Sequence, residues 1–488
     1  MEELNEIIKQ RLKKVEELRQ SGLEPYGGAF KERISTSEIF QKFSNMSEEE
    51  LADVDDEYRL AGRIIAFRRF GKAAFAHIKD NTGKLQIYFK KDILGDDYNL
   101  VRKLDIGDIV GVEGRPFRTK TGELTIEVKG IMLLTKSLRP LPEKWHGLRD
   151  IELRYRQRYV DLIVNPGVKE VFYKRSKLIR CMREFFDKRG FVEVETPMMH
   201  LVAGGAAAKP FKTHHNALDI DLYLRIAPEL YLKRLLVGGY EKVYELNRNF
   251  RNEGISTKHN PEFTMIEFYI AYEDYKYLMD LTEELITQLC MELNGTLKIP
   301  YGEYNLDLTP PWPRYTMFEA MERAGIDMKI IGDVERAKAW AEEHNIKILA
   351  DAPYGKILDE IFKHMVEPEL INPTFITDYP VEISPLAKRK KDDPSLVERF
   401  ELFIASRELA NAFSELNDPI DQHQRFLRQI EAGEEGTDKI DEDFIRALQY
   451  GMPPAAGEGI GIDRLTMVLT NSQSIRDVIL FPLLKPES

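Results

Sequence analysis

The stretch that most restricts how this chain can fold runs from Tyr244 to Tyr269, YELNRNFRNEGISTKHNPEFTMIEFY. Asn247 to Asn252 is polar and carries two arginines, Gly254 to Asn260 is rich in turn formers, and Phe263 to Tyr269 resumes apolar alternation. The pattern predicts a strand, a polar loop and a return strand. Arg248, Arg251, Glu253, His259 and Phe263 then gather around one hairpin. Guanidinium forks suit the phosphates of a nucleotide, and a flat ring suits stacking on its base. A solvated hairpin with surface ion pairs is the competing reading.

At 488 residues the chain is longer than one ordinary domain, so two or three are expected. A net charge of −12 excludes general adhesion to nucleic acid, and any such contact needs a local basic face. Cys181 and Cys290 lie on predicted helices far apart, which suits free buried thiols and no zinc or disulfide framework. Neither a signal peptide nor an apolar run of the ~20 residues that span a bilayer is present, which predicts a cytoplasmic protein without a membrane segment.

The period of the pattern divides the chain. Residues 1–56 are an amphipathic helix, stopped by Ser21-Gly22, and a lead-in. Residues 57–136 alternate with period two in five short runs, the signature of a five-stranded barrel of the OB type. Within it Phe75 could stack a base and Gln86 could read a base edge. Residues 137–163 form a Pro-bounded linker and a charged helix whose arginines either touch RNA or solvate a hinge. The remainder, 164–488, mixes helices and strands into an α+β domain with a mainly helical insertion at about 315–371. In it a helix stops at Gly190, a strand follows to Thr196-Pro197, and Glu229 opens a helix. His214 and His215, adjacent on a strand, point to opposite sides and read as structural.

Two more stretches carry chemistry. In VERFELFIASRELANAFSELNDP, Glu401 and Glu408 flank a break near Ala405-Ser406. An antiparallel turn there sets residues equidistant from it face to face. Two such carboxylates repel unless a cation such as Mg²⁺ lies between them, and two separate surface acids are the alternative. In GEGIGIDRLTMVLTN, small residues let the backbone approach a ligand, and Arg464 at a helix start offers a fork to phosphate.

Taken together, these stretches resemble the class II aminoacyl-tRNA synthetases. Residues 244–269 resemble motif 2, the helix and strand ending at Pro197 resemble motif 1, and GEGIGIDR resembles motif 3. RYRQRYVDL and the segment around Glu401 resemble the lysyl enzymes of the bacterial type, and 57–134 resembles the anticodon-binding domain shared by the lysyl, aspartyl and asparaginyl enzymes. The likeness spans essentially the whole chain. It implies a homodimer that makes lysyl-adenylate and pyrophosphate from lysine and ATP, then transfers lysine to the 3′ end of tRNA(Lys).

By the same resemblance Arg251 and Arg464 are catalytic. Glu253, His259 and Phe263 join them at ATP. Gly205, Glu229, Glu253, Tyr269, Asn411, Phe413 and Glu415 line the lysine site, and Glu401 and Glu408 hold Mg²⁺. Phe75, Gln86, Arg68 and Glu123 meet the anticodon. Capture of the adenylate by ATP would give diadenosine polyphosphates as a side product. Ser406 departs from the pattern, where Gly is expected. Lysine-transferring relatives that act on protein lack the barrel, which argues against that alternative.

The residues also argue for lysine over aspartate or asparagine. Glu229 and Glu415, with Tyr269 as a polar wall and no unassigned cation, suit an ammonium. An acidic side chain needs Lys or Arg there, and an amide leaves the acids unpaired.

Overall fold

The computed structural model describes residues 2–142, 148–327, 329, 331–349, 351–433 and 439–486. The chain divides into two compact units, Met1–Leu148 and Arg149–Ser488.

In the first unit the period-two stretch becomes the strands Tyr58–Phe70, Ala73–Lys79, Lys84–Lys90, Ile109–Arg118 and Leu124–Thr135. They close into a barrel in the order first, second, third, fifth, fourth. Closure leaves no free edge, and alternation sends Ala74, Ala76, Ile78, Leu85, Ile87 and Phe89 inward. The N-terminal helix, Glu2–Gln20, places Leu18 in the barrel's core. Arg11 on that helix donates to the carbonyls of Ser137 (2.9 Å) and Ile106 (3.1 Å), so helix and barrel form one body. Lys136, wholly buried, sets its ammonium 2.6 Å from both Asp105 and Asp108.

Residues 143–147 of the expected linker lie outside the described residues. The charged segment after them forms two short helices, Ile151–Arg156 and Arg158–Val164, which belong to the second unit. Arg158 neither solvates a hinge nor faces outward. It is buried, donating to Asp161 at 2.6 Å and to the carbonyls of Leu480 and Arg476.

The second unit is α+β, built on an eight-stranded sheet. Across it run Arg314–Thr316, Thr374–Thr377, Arg399–Phe403, Glu408–Ser414, Ala455–Gly461, Glu262–Ala271, Lys242–Phe250 and Val192–Glu193. All neighbours are antiparallel except the pair at each edge. The strand expected to reach Thr196 keeps only Val192–Glu193. One face of the sheet is covered by the helices Pro166–Asp187, Tyr275–Asn294 and Ile462–Leu469, whose Leu178, Phe186, Leu285 and Leu465 pack on Ile266, Phe268, Phe400 and Ile460. Asp274 starts the second of these helices by accepting from the amides of Lys276 and Tyr277.

The insertion leaves the sheet after Arg314–Thr316 and returns in parallel at Thr374–Thr377. Between them Met317–Arg323, Val334–Glu343 and Tyr354–Met365 build a core of Met317, Met321, Ile357, Leu358 and Phe362. Among the described residues, no helix is long and apolar enough to cross a membrane.

The Lys136 cluster generates a prediction. Lys136→Ala leaves the fully buried Asp108 without a cation, while Asp105 keeps Lys14 at 2.6 Å, and should lower the stability of this unit by about 3–5 kcal/mol in urea unfolding.

Candidate active site

Alternation builds the site. On the return strand of the hairpin, Ile266, Phe268 and Ile270 face the helices, so Phe263, Met265, Glu267 and Tyr269 face the other way. Strand pairing extends this face in rows. One row runs Glu401, Asn411, Gly459, Glu267, Glu245, and the next runs Arg399, Phe413, Gly457, Tyr269, Val243. Over the rows lies a cavity of about 200 Å³.

The two glycines make room for it. A Cβ at Gly457 would stand 2.3 Å from both Glu415 Oε1 and the Tyr269 ring, and one at Gly459 would stand 2.8 Å from Met265. A third, Gly205, sits on the lining loop at φ +89°, a left-handed conformation, against Ala227 and Glu229.

One end of the cavity is cationic and aromatic. Arg251 lies 5.1 Å over the Phe263 ring, and its buried Nε has no hydrogen-bond partner among the described residues. Burial works against its charge, while Glu253, Glu408 and Glu267 support it. Arg464 donates to the Glu408 carbonyl at 2.7 Å and stands 3.4 Å from His259 Nε2. Burial, and then Arg464, push the His259 imidazole below its usual pKa, so it is neutral and accepts. Arg248 does not join this group. It alternates to the other side of the strand and pairs with Glu262 at 2.6 Å.

Two distant segments hold the hairpin here. Asp463, beside Arg464, accepts the amide of Thr264 at 2.8 Å and pairs at 2.6 Å with Arg175 of the first covering helix.

The other end is acidic. Glu229 opens the helix Glu229–Val237 and lines the cavity with Glu267, Tyr269, Asn411 and Phe413. Glu415 stands behind that wall, fully buried, its pKa pushed up to about 8 by burial against the pull of Lys233. The expectation of no unassigned cation fails. Lys233, one helical turn after Glu229, is completely buried, with its ammonium 2.6 Å from Glu229 and 2.5 Å from Glu415. Acids still outnumber bases around it, since Glu229 and Glu415 share the one ammonium of Lys233.

The expected face-to-face glutamates are also corrected. Glu401 pairs with Asn411, and Glu408 pairs with Phe403 across a bulge, so the two carboxylates are diagonal. They still feel each other: burial raises Glu401 to about 7, Arg399 opposes and Glu408 adds to the rise. Glu401 accepts from Tyr379 at 2.9 Å and from Arg399 at 2.5 Å, and it does not line the cavity, whereas Glu408 does. Among the described residues no cluster of three or more metal-ligating side chains forms.

The turn between them explains why glycine was expected at Ser406. Ala405 and Ser406 both have positive φ, +54° and +56°. Ser406 is held there by its amide to the Leu370 carbonyl and its hydroxyl to the Pro368 carbonyl, both 2.8 Å.

The barrel brings its four residues together. The Phe75 ring lies 4.6 Å from that of Tyr88, tilted by 33°, and Arg68 is its cross-strand neighbour. Gln86 donates to Glu123 and accepts from Thr125, both at 2.8 Å, and Glu123 is 2.9 Å from His77.

Residues 150–485 match the family model described as tRNA synthetases class II (D, K and N), and residues 58–134 match the OB-fold nucleic acid binding domain. The chain belongs to the class II tRNA synthetases of the D, K and N group. It is 59% identical to the lysine–tRNA ligase of Carboxydothermus hydrogenoformans, over 99% of each chain. It is 60% identical to that of Pelotomaculum thermopropionicum, covering 99% of this chain and 96% of the relative. With the lysine–tRNA ligase of Moorella thermoacetica it shares 58% over 100% and 99%.

Sequence reasoning missed several residues of the cavity and of the barrel face. Glu267 stands two before Tyr269, Arg399 two before Glu401, His77 two after Phe75, and Lys233 four after Glu229. Strand and helix periods place each beside a residue already singled out. Gly457→Ala should overpack this wall, lowering stability in thermal or urea unfolding by about 1–3 kcal/mol.

Proposed function

We infer that the chain acts as a lysine–tRNA ligase, activating lysine with ATP and passing it to tRNA. The observation that carries this is one cavity with two ends, arginines and an aromatic ring at one and an excess of buried acid at the other. Near-full-length likeness to lysine–tRNA ligases supports the same reading.

The substrate carboxylate is already an anion, so activation needs no protein nucleophile or base. Catalysis is positioning and neutralisation of developing charge. Phe263 stacks on adenine, and the free Nε of Arg251 meets the reacting carboxylate and α-phosphate. Arg464, His259 and Glu253 stand around the remaining phosphates. Glu229, Glu267, Tyr269 and Glu415 favour an ammonium, with Gly205, Asn411 and Phe413 shaping the walls.

Glu401 and Glu408 fit Mg²⁺ by donor type. Both are oxygen ligands, and this ion commonly takes one or two carboxylates beside substrate phosphates. When bound it would neutralise phosphate charge. On the barrel, Phe75 stacks an anticodon base while Gln86 and Glu123 read edges and Arg68 meets backbone. A homodimer fits the surface near Pro197, where Val192, Met198, Met199 and Leu201 are each more than 40% exposed. The chain's place is then the cytoplasm, beside its tRNA.

ATP–pyrophosphate exchange with each of the twenty amino acids tests the activity. Exchange should depend on lysine and on added Mg²⁺, and exchange driven by asparagine or aspartate would overturn the reading of the acidic end. Phe75→Ala should weaken tRNA charging by about 1–3 kcal/mol while leaving lysine-dependent exchange intact. Unchanged charging would remove the barrel face from the anticodon assignment.

A further inference from the structure

Lys233 has no place in the mechanism above, yet it is the most enclosed cation in the acidic end. Its side chain has no exposure, and its ammonium bridges Glu229 at 2.6 Å and Glu415 at 2.5 Å, 5.3 Å from the Phe413 ring centroid. The contact with Glu415 is an ion pair without hydrogen-bond alignment. The other oxygen of Glu415, Oε1, has no partner among the described residues. It lies against the bare Cα of Gly457, which forms part of the cavity wall. A buried carboxylate oxygen therefore points, unpaired, at a glycine of the cavity wall.

We propose that Lys233 is a positioning residue for the substrate, a resident ammonium that grips Glu229 and one oxygen of Glu415 and leaves the second oxygen for the incoming lysine side chain. This rests on the assignment of Glu229 and Glu415 to the lysine pocket. Charge supports it. Glu229 and Glu415 share the single ammonium of Lys233, so the pair is one cation short, and the side-chain ammonium of lysine supplies it. Without Lys233 the deficit doubles around two buried acids, and burial resolves such a deficit by protonating carboxylates.

The groups facing Lys233 and its acids are few. Glu229 lies on its own helix, Glu415 directly follows the strand that carries Phe413, Glu267 and Tyr269 come from the hairpin strand, and Arg399 acts on Glu229 from the neighbouring strand. Burial opposes the Lys233 charge, but Glu229 and Glu415 together raise its pKa, so it stays charged. Burial has already raised Glu415, with Lys233 pulling it down. Losing that pull moves the acid higher still. Its carboxylate is then populated only at more alkaline pH, and lysine binding must shift with it.

The test is lysine-dependent ATP–pyrophosphate exchange from pH 6.5 to 9 on Lys233→Met, Lys233→Arg and Glu415→Gln. Lys233→Met should raise the lysine KM more than about tenfold at pH 7, with the KM for ATP unchanged. The acid limb of kcat/KM for lysine should move up by at least about one pH unit, and Lys233→Arg should bring it back toward the parent position. Lys233→Gln takes the same series if the methionine variant does not fold. A loss uniform across pH, no loss at all, or neutral variants that fold only when a cation is restored would make Lys233 a stability residue and overturn the proposal. Glu415→Gln separates the two levels. If it raises the lysine KM while Lys233→Met behaves as the parent, only the role of Lys233 falls. If it leaves KM unchanged, the pocket assignment beneath the proposal falls.

Discussion

The cavity depends on side chains that are missing. In a pleated sheet each row of one face is filled by neighbours about 5 Å apart, and there is no space for a ligand unless some position is bare. Here Gly457 and Gly459 sit at the centre of two such rows, between the glutamate-bearing strand and the return strand of the hairpin. Any larger residue would collide with Glu415, Tyr269 or Met265. Removing two side chains from the middle of the sheet lets residues from its two halves converge on one volume.

Convergence of this kind concentrates charge. Glu229, Glu267, Glu401 and Glu415 all have pKa values raised above the ordinary carboxylate range, and in each the leading cause is burial. A fold does not keep four desolvated acids for stability, because a buried ion pair seldom repays the loss of water. It keeps them where a ligand brings compensating charge. The Arg251 guanidinium, buried with an unpaired Nε, is the same statement at the opposite end. Such a site acts on its ligand by opposing charge at its two ends, and its chemistry is arrangement.

The rigidity behind that arrangement comes from contacts between segments remote in sequence. Arg175, Thr264 and Asp463 tie the first covering helix, the hairpin and the arginine-bearing helix into one unit. Arg399 links Asn411 to Glu401, and the 405–406 turn is anchored on the carbonyls of Pro368 and Leu370 where the insertion rejoins. The insertion thus has a structural attachment to the glutamate hairpin, which its own sequence gives no sign of.

Local pattern alone determined a good deal. Period-two runs gave the barrel, the polar break between alternating segments gave the hairpin, and a Gly-rich run into a helix put Arg464 in that helix's first turn. These are properties of neighbours along the chain, set by backbone geometry and by which residues tolerate a turn. Tertiary structure decided what depends on register and on partners. A bulge moved Glu408 off the position opposite Glu401, alternation turned Arg248 away from the cavity, and the packing of one helix against the end of a distant strand put Lys233 between two acids. A one-residue shift reverses the face of a strand, and the charge a buried group sees is summed over whatever the fold brings near. Neither can be computed from spacing, because both are set only when strands from opposite ends of the chain meet.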